Sequence, residues 1–349
     1  MRKLQPQKRV ICAMSGGVDS SVAAALLKQG GVNIVGVFMK LWSESHFNKT
    51  AEKSAKKICS HLNIPFLVFD FSQEFKKKIV DYFLEEYQKD RTPNPCVKCN
   101  KDIKFGLFFQ KAIKSKTDFV ATGHYARTKK NKTYKLLKAG DKEKDQSYFL
   151  YNLKQTQLQK TLFPIGNHTK SEVKKMARKF GILSLVRPES QDICFIKEDY
   201  QKFFKKHLKL RPGPILDVSG KKIGTHQGLP LYTIGQRKKI RISGISPYYV
   251  VRLDLKKNAL VVTNEEELLF KKELKAKKVN WISGKSPKLP LKIKAKIRYL
   301  HKEAGAEIIS KNKKGIYKIE FLIPQRAVTS GQSIVFYKDQ EVLGGGIII

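Results

Sequence analysis

The segment Ser15-Gly16-Gly17-Val18-Asp19-Ser20-Ser21 follows a short apolar run, Val10-Ile11-Cys12-Ala13-Met14, and leads into residues with helical spacing. Adjacent glycines let the backbone turn tightly and bring N–H groups close to an anion. A helix starting there turns its positive end toward the same spot. Ser15, Ser20 and Ser21 can add hydroxyl donors, and Asp19 a carboxylate for Mg²⁺. This is phosphate-binding chemistry, but no Gly-Lys-Ser/Thr follows and the G-x-G-x-x-G spacing is missing. A lone Gly-Gly would be an ordinary turn; serines and an aspartate at these offsets make that the poorer reading.

The second reactive set is sulfur. Five cysteines (Cys12, Cys59, Cys96, Cys99 and Cys194) are few and odd in number, which argues for reduced thiols and against a disulfide framework. Cys12 and Cys59 sit in apolar surroundings and read as small buried hydrophobes. Cys96 and Cys99 form a C-x₂-C pair after Pro93 and Pro95, where a nearby helix N-terminus would favour a thiolate at Cys99.

These residues need a scaffold, and the first half of the chain supplies an alternating one. Residues 9–14, 33–39, 65–70 and 118–122 read as strands; 18–29, 51–62 and 73–88 read as helices, the first closed by Gly30-Gly31. A further helix is expected from Lys144, and Thr169-Lys170-Ser171-Glu172 is a capping box opening one that runs to Phe180. Such alternation means an α/β fold, a parallel sheet with helices on both faces. Beyond about Lys209, glycines and prolines punctuate short strands. This predicts a catalytic domain over 1–208, a small central β-rich domain over 209–274 and a C-terminal β-barrel over 275–349.

The chain has 349 residues, with 70 Lys+Arg against 30 Asp+Glu and a net charge of +40. A lysine-rich proteome would produce this, and so would a polyanionic partner such as nucleic acid or acidic lipid. Residues 271–298 hold eleven Lys/Arg and one acid, Glu273. Within them, Lys292-Ile293-Lys294-Ala295-Lys296 alternates, giving either a phosphate-tracking face or a solvated edge strand guarded by lysines. No apolar run approaches membrane-helix length, and the basic Met1–Arg9 start does not read as a signal, so cytoplasmic is the expected location, with no membrane partner and a monomer as default.

The Ser15–Ser20 loop resembles that of the ATP-pyrophosphatase (PP-loop, Rossmann-like) superfamily, whose members cleave ATP to AMP and pyrophosphate through an adenylated substrate. Longer stretches narrow the choice. They are Arg91-Thr92-Pro93-Asn94-Pro95-Cys96-Val97-Lys98-Cys99-Asn100, Ala121-Thr122-Gly123-His124-Tyr125, Lys144-Asp145-Gln146-Ser147 and Ser190-Gln191-Asp192-Ile193-Cys194-Phe195-Ile196. With Gly224-Thr225-His226-Gln227-Gly228, Gly235-Gln236-Arg237-Lys238, Gly331-Gln332-Ser333 and Leu343-Gly344-Gly345-Gly346, they closely resemble the tRNA-specific 2-thiouridylase family over nearly the whole chain.

That resemblance implies a sulfurtransferase acting on tRNA for Lys, Glu and Gln. The C2 oxygen of wobble uridine 34 is adenylated, and a persulfide sulfur displaces AMP to leave 2-thiouridine. It implies Cys194 as persulfide carrier and Cys99 as partner nucleophile, closing a transient disulfide. Ala13, Met14, Ser15, Gly16, Gly17, Val18, Asp19, Ser20, Met39 and Gly123 would line ATP, with Mg²⁺ at Asp19. Asn94, Pro95 and Cys96 would face the target base, and Lys144, Asp145, Gln146, Arg298 and Tyr299 would touch tRNA. His124 reads equally as catalytic or structural. A cysteine desulfurase, directly or through carrier proteins, is the implied sulfur donor.

The chain departs from the family pattern at Cys96, where Asp is common. Cys96, Cys99 and Cys194 could instead ligate a [4Fe–4S] cluster whose open iron carries sulfide. Lys239 stands where glycine is usual, which puts the local turn in doubt, and the stretch after Met39 is shortened. Two other functions compete. An ATP-pyrophosphatase acting on a small molecule would leave Cys99 and Cys194 idle. A non-catalytic RNA-binding protein has no use for an intact Ser15–Ser20 loop.

Overall fold

The computed structural model describes residues 5, 7–42, 46–187, 193–196, 199–240, 242 and 247–349. Ser190, Gln191 and Asp192 of the motif around Cys194 lie outside them.

The first strand, β1 (Arg9–Met14), is followed by helix α1 (Val18–Gln29), β2 (Asn33–Lys40), α2 (His46–His61) and β3 (Phe66–Asp70). β4 (Phe119–Ala121) and the short Thr161–Leu162 strand complete an all-parallel sheet on the other side of β1. β1 is apolar almost throughout because both of its faces are covered. Val10, Cys12 and Met14 pack under α1, α2 and the helix Lys170–Lys179, while Ile11 and Ala13 meet Phe75, Phe83, Ile103 and Phe108 on the opposite face. The chain crosses to β2 on one side of β1 and to β4 on the other. A crevice therefore opens beyond the carboxyl end of β1, where open α/β sheets hold ligands.

The capping box at Thr169 is formed in both directions with Glu172, and Gly181 takes φ +67° just past the helix end. The expected 73–88 helix runs over Ser72–Gln88 with a wider coil at Lys76–Asp81, and the one expected from Lys144 is only a single tight turn, Ser147–Leu150. In the middle of the chain, strands Gly213–Leu216, Lys222–His226, Tyr249–Asp254 and Ala259–Thr263 form a small separate sheet. Lys239 there has φ +67°, a left-handed conformation that glycine takes without strain. Its ammonium lies 2.6 Å from Asp199, and both groups are exposed enough that the pair returns little stability.

The last strands are Phe270–Trp281, Leu291–Lys296, Ala304–Lys311, Tyr317–Arg326, Ser333–Lys338 and Glu341–Ile348. They form an antiparallel six-stranded barrel, closed where Phe270–Trp281 pairs with Glu341–Ile348. One addition crosses from the front of the chain. The hairpin of Arg127–Lys130 and Tyr134–Leu137 extends the barrel sheet, with Leu136 and Leu137 opposite Val342 and Glu341. Strand Leu291–Lys296 is paired on both sides, so its lysines are not guarding an edge. Ile293 and Ala295 face the barrel core and Lys292 and Lys294 face solvent, the expected alternation.

Candidate functional site

The Ser15–Gly17 turn sits at the mouth of the crevice. Gly16 has φ +73°, and a Cβ there would stand 2.5 Å from the Ala51 carbonyl oxygen on α2, so no side chain fits. Gly123, ending β4, presses against the start of α1; a Cβ would lie 2.6 Å from the Ser20 nitrogen. Gly17 opens α1 and no side chain caps it, which leaves the leading N–H groups of the helix directed at an anion. The serines do less than expected. Ser20 and Ser21 donate their hydroxyls to the Gly17 carbonyl at 3.1 and 2.8 Å, and Ser20 Oγ accepts the Ser15 N–H at 3.1 Å. They brace the loop, and the anion is left to the backbone.

Asp19, expected at Mg²⁺, accepts the Tyr125 hydroxyl at 2.8 Å and the Lys170 ammonium at 2.7 Å on the same Oδ1. Neither partner was singled out from the sequence, although Lys170 opens the helix that the capping box marks. Ala13 and Val18 turn their side chains into the two cores, so they can serve a nucleotide only through backbone.

Below the loop, a cavity of about 270 Å³ brings together Met14, Ser15, Met39, Pro95, Cys96, Cys99, Asn100, Lys104, Arg187 and Cys194. The three thiols come from distant places in the chain. Cys96 and Cys99 ride on the helix Pro95–Cys99, opened by Asn94, whose Oδ1 accepts the Val97 N–H at 3.1 Å. Asn94 is thereby committed to capping. Cys194 follows Arg187, which donates its Nε–H to the Ser15 carbonyl and its backbone N–H to that of Gly16, both at 3.0 Å.

The expected Cys99 thiolate is corrected. The helix start is present, but Cys99 lies beyond its first turn and is buried, and the dipole fades within that turn. Burial pushes its thiol up to about 11, although Lys104 pulls the other way. Cys194 is exposed as a residue, yet the surroundings of its sulfur are dense enough that burial, followed by Cys99 and Cys96, drives it to about 12. Burial also raises Cys96. Thiolates would therefore need the charge of a bound ligand or a change in packing.

Among the described residues, no three His, Cys, Asp or Glu side chains form a group able to hold a metal ion. Cys96, Cys99 and Cys194 share the cavity without making such a ligand set as they stand.

His124 is buried, and burial followed by Lys104 holds its pKa well below the ordinary 6.5, so it is neutral at physiological pH. Its Nε2 lies 3.4 Å from the Lys104 ammonium and its Nδ1 2.8 Å from Thr122 Oγ1. Because an ammonium only donates, Nε2 must accept, and the ring proton sits on Nδ1 toward Thr122. His124 aligns Lys104, a cavity-lining cation with no part in the expectations drawn from the sequence.

Of the residues expected at RNA, Asp145 is buried and accepts from Ala139 N, Ser147 N and Ser147 Oγ. Gln146 accepts the Tyr125 N–H at 3.0 Å. Both hold their own loop, whereas Lys144 is exposed. Tyr299 packs against Phe149 with ring centroids 4.4 Å apart, and Arg298 beside it is half-buried.

Three family models match in succession: a tRNA methyl transferase HUP domain over residues 8–198, a tRNA methyl transferase PRC-barrel domain over 201–264, and an aminomethyltransferase β-barrel domain over 271–348. The tRNA-specific 2-thiouridylase MnmA of Roseiflexus sp. (strain RS-1) is 44% identical, the match covering 97% of this chain and 99% of that one. Its counterpart in Clostridioides difficile (strain 630) is 45% identical, with 98% of each chain covered. With such identity along almost the full length, the chain belongs to the tRNA-specific 2-thiouridylase family.

Proposed function

We infer that this chain is an enzyme that makes 2-thiouridine in tRNA, using ATP to activate the uridine and Cys194 to deliver sulfur. One observation carries the reading: two thiols from distant motifs, Cys99 and Cys194, share a single cavity with the Ser15 loop at the anion-binding start of α1. Two of the matched domain families are named for methyl transfer, but paired thiols beside a phosphate-binding turn suit sulfur chemistry.

The base enters beside Asn94, Pro95 and Cys96. Its C2 oxygen attacks the α-phosphorus of ATP, pyrophosphate leaves, and a poor leaving group becomes a good one. Mg²⁺ would enter with the phosphates, Asp19 being the carboxylate the loop offers. The terminal sulfur of the Cys194 persulfide then bonds to C2, the C2–O bond breaks, and AMP departs with that oxygen. Cys99, as thiolate, attacks the Cys194 sulfur, forming a Cys99–Cys194 disulfide and freeing the thiocarbonyl. A cellular dithiol must reduce the disulfide before the next turn.

Lys104 faces the sulfurs and offsets the charge they acquire. We place the RNA body along Lys144, Arg298, Tyr299 and the lysine face of Leu291–Lys296, with wobble uridine of the Lys, Glu and Gln tRNAs as target. The test is mass spectrometry of tRNA nucleosides after incubation with ATP, Mg²⁺ and a persulfide donor. Appearance of 2-thiouridine, dependent on ATP, is expected; its absence refutes the reading.

A further inference from the structure

The arm that carries Cys194 leaves the helix Lys170–Lys179 at Gly181, makes a tight turn over Leu183–Leu185 and reaches Arg187. There it is tied to the ATP loop by both backbone and side chain, at Gly16 and Ser15. Ser15 is itself held on its other side, since its N–H is bonded to Ser20 Oγ. Beyond Cys194, Phe195 is buried in an aromatic cluster, 5.9 Å from Phe75, 5.4 Å from Phe83 and 5.7 Å from Phe203 between ring centroids. Cys194 thus lies next to a residue fixed in the hydrophobic core, and it shares one cavity with Arg187, which is fixed on the ATP loop. Burial lowers the Arg187 pKa while the Cys194 sulfur works against that drop, so guanidinium and thiol are electrostatic neighbours.

We propose that Arg187 is a positioning residue for sulfur transfer: its guanidinium fastens the Cys194 arm to the ATP loop, so that the sulfur is presented where the adenylate is held. This rests on the thiolation reading above. Adenylation needs ATP and the base; the next step also needs a sulfur aimed at C2, and a tether that fixes one reactant against another removes orientational freedom from the barrier. The backbone bond to Gly16 is open to any residue except proline at this position, but the bond to Ser15 requires a side-chain donor. The planar guanidinium supplies it with its direction set, whereas lysine reaches with a flexible point charge.

The experiment separates the two half-reactions in single turnover. The full-length chain, its Cys194 loaded as persulfide and quantified by alkylation and mass spectrometry, is mixed with ATP, Mg²⁺ and unmodified tRNA. Pyrophosphate release and 2-thiouridine are then followed together. For Arg187→Met, which keeps the chain length but has no donor, the expected result is sulfur transfer slowed at least ~30-fold with pyrophosphate release slowed no more than ~3-fold, and Arg187→Lys in between. Equal transfer rates in wild type and Arg187→Met overturn the proposal. So does an equal loss in both steps, which would make Arg187 a nucleotide ligand instead. If methionine prevents folding, the lysine variant carries the same comparison. A wild-type chain that makes no 2-thiouridine removes the proposed function, and this inference falls with it.

Discussion

Lys170 and Asp19 meet at 2.7 Å across the mouth of the ATP crevice, joining the first turn of α1 to the first turn of a helix some 150 residues further on. Lys170 is largely enclosed, and Tyr125 donates to the same carboxylate oxygen. Asp19→Ala leaves that ammonium enclosed without its anion, a change that costs about 1–3 kcal/mol. Tyr125→Phe removes one neutral donor and should cost about 1 kcal/mol. Urea denaturation of the two variants should rank them in that order, and nucleotide affinity, read by fluorescent-ATP titration, should fall for Asp19→Ala.

Gly123→Ala places a methyl group 2.6 Å from the Ser20 nitrogen. Either β4 or the start of α1 must move, at a cost of about 1–3 kcal/mol. Because α1 directs the anion-binding N–H groups, ATP affinity should drop at least tenfold, while tRNA binding in a filter assay changes little.

The two reactive thiols should fail differently. Cys194→Ala should release pyrophosphate with tRNA but make no 2-thiouridine. Cys99→Ala should accept sulfur on Cys194 and then stall with RNA joined to protein through a disulfide, visible as a reducible shift on a denaturing gel. Two indistinguishable variants would contradict the assigned roles.

Alkaline pH should weaken the fold through its buried thiols. Burial raises Cys59 to about 12, Cys99 to about 11 and Cys194 to about 12, from an ordinary value of 9.0. The native state keeps these protons longer than the unfolded chain does. The resulting stability is complete below about pH 9 and is lost as pH rises through 11 to 12. Urea midpoints measured from pH 8 upward should fall across that window, and Cys59→Ser should flatten the decline. Alkylation of Cys99 by iodoacetamide should likewise stay slow at pH 8 and accelerate above pH 10.

Lys292→Glu with Lys294→Glu alters the solvent face of a strand that is paired on both sides. Thermal stability should hold within a few degrees. If this face tracks phosphates, the slope of log affinity against log salt should shrink by about one unit per lysine. An unchanged slope moves the RNA elsewhere.

The parallel sheet was legible because each signal is local: an apolar run for β1, the Gly-Gly stop of α1, the capping box at Thr169. The pairing of Leu136 with Val342 has no such signal, since nothing near either residue names the other. Asp145 and Gln146 are polar in a charged stretch and read as surface, yet backbone donors recruit both inward. Cys99 follows a helix start, as its prolines indicate, but burial outweighs the dipole, and burial is a property of the assembled fold. Lys104 and Arg187 were missed for a related reason. A lone cation in a basic chain has nothing to set it apart until folding brings it to the sulfurs.

The hairpin that extends the barrel also bears on synthesis. Lys135 and its partner Glu341, 2.6 Å apart, are separated by 206 positions along the chain. The hairpin leaves the ribosome long before its partner strand and must wait with one strand edge unpaired. A message broken between codons 137 and 341 would therefore yield a chain whose hairpin keeps an adhesive edge, a natural substrate for quality control.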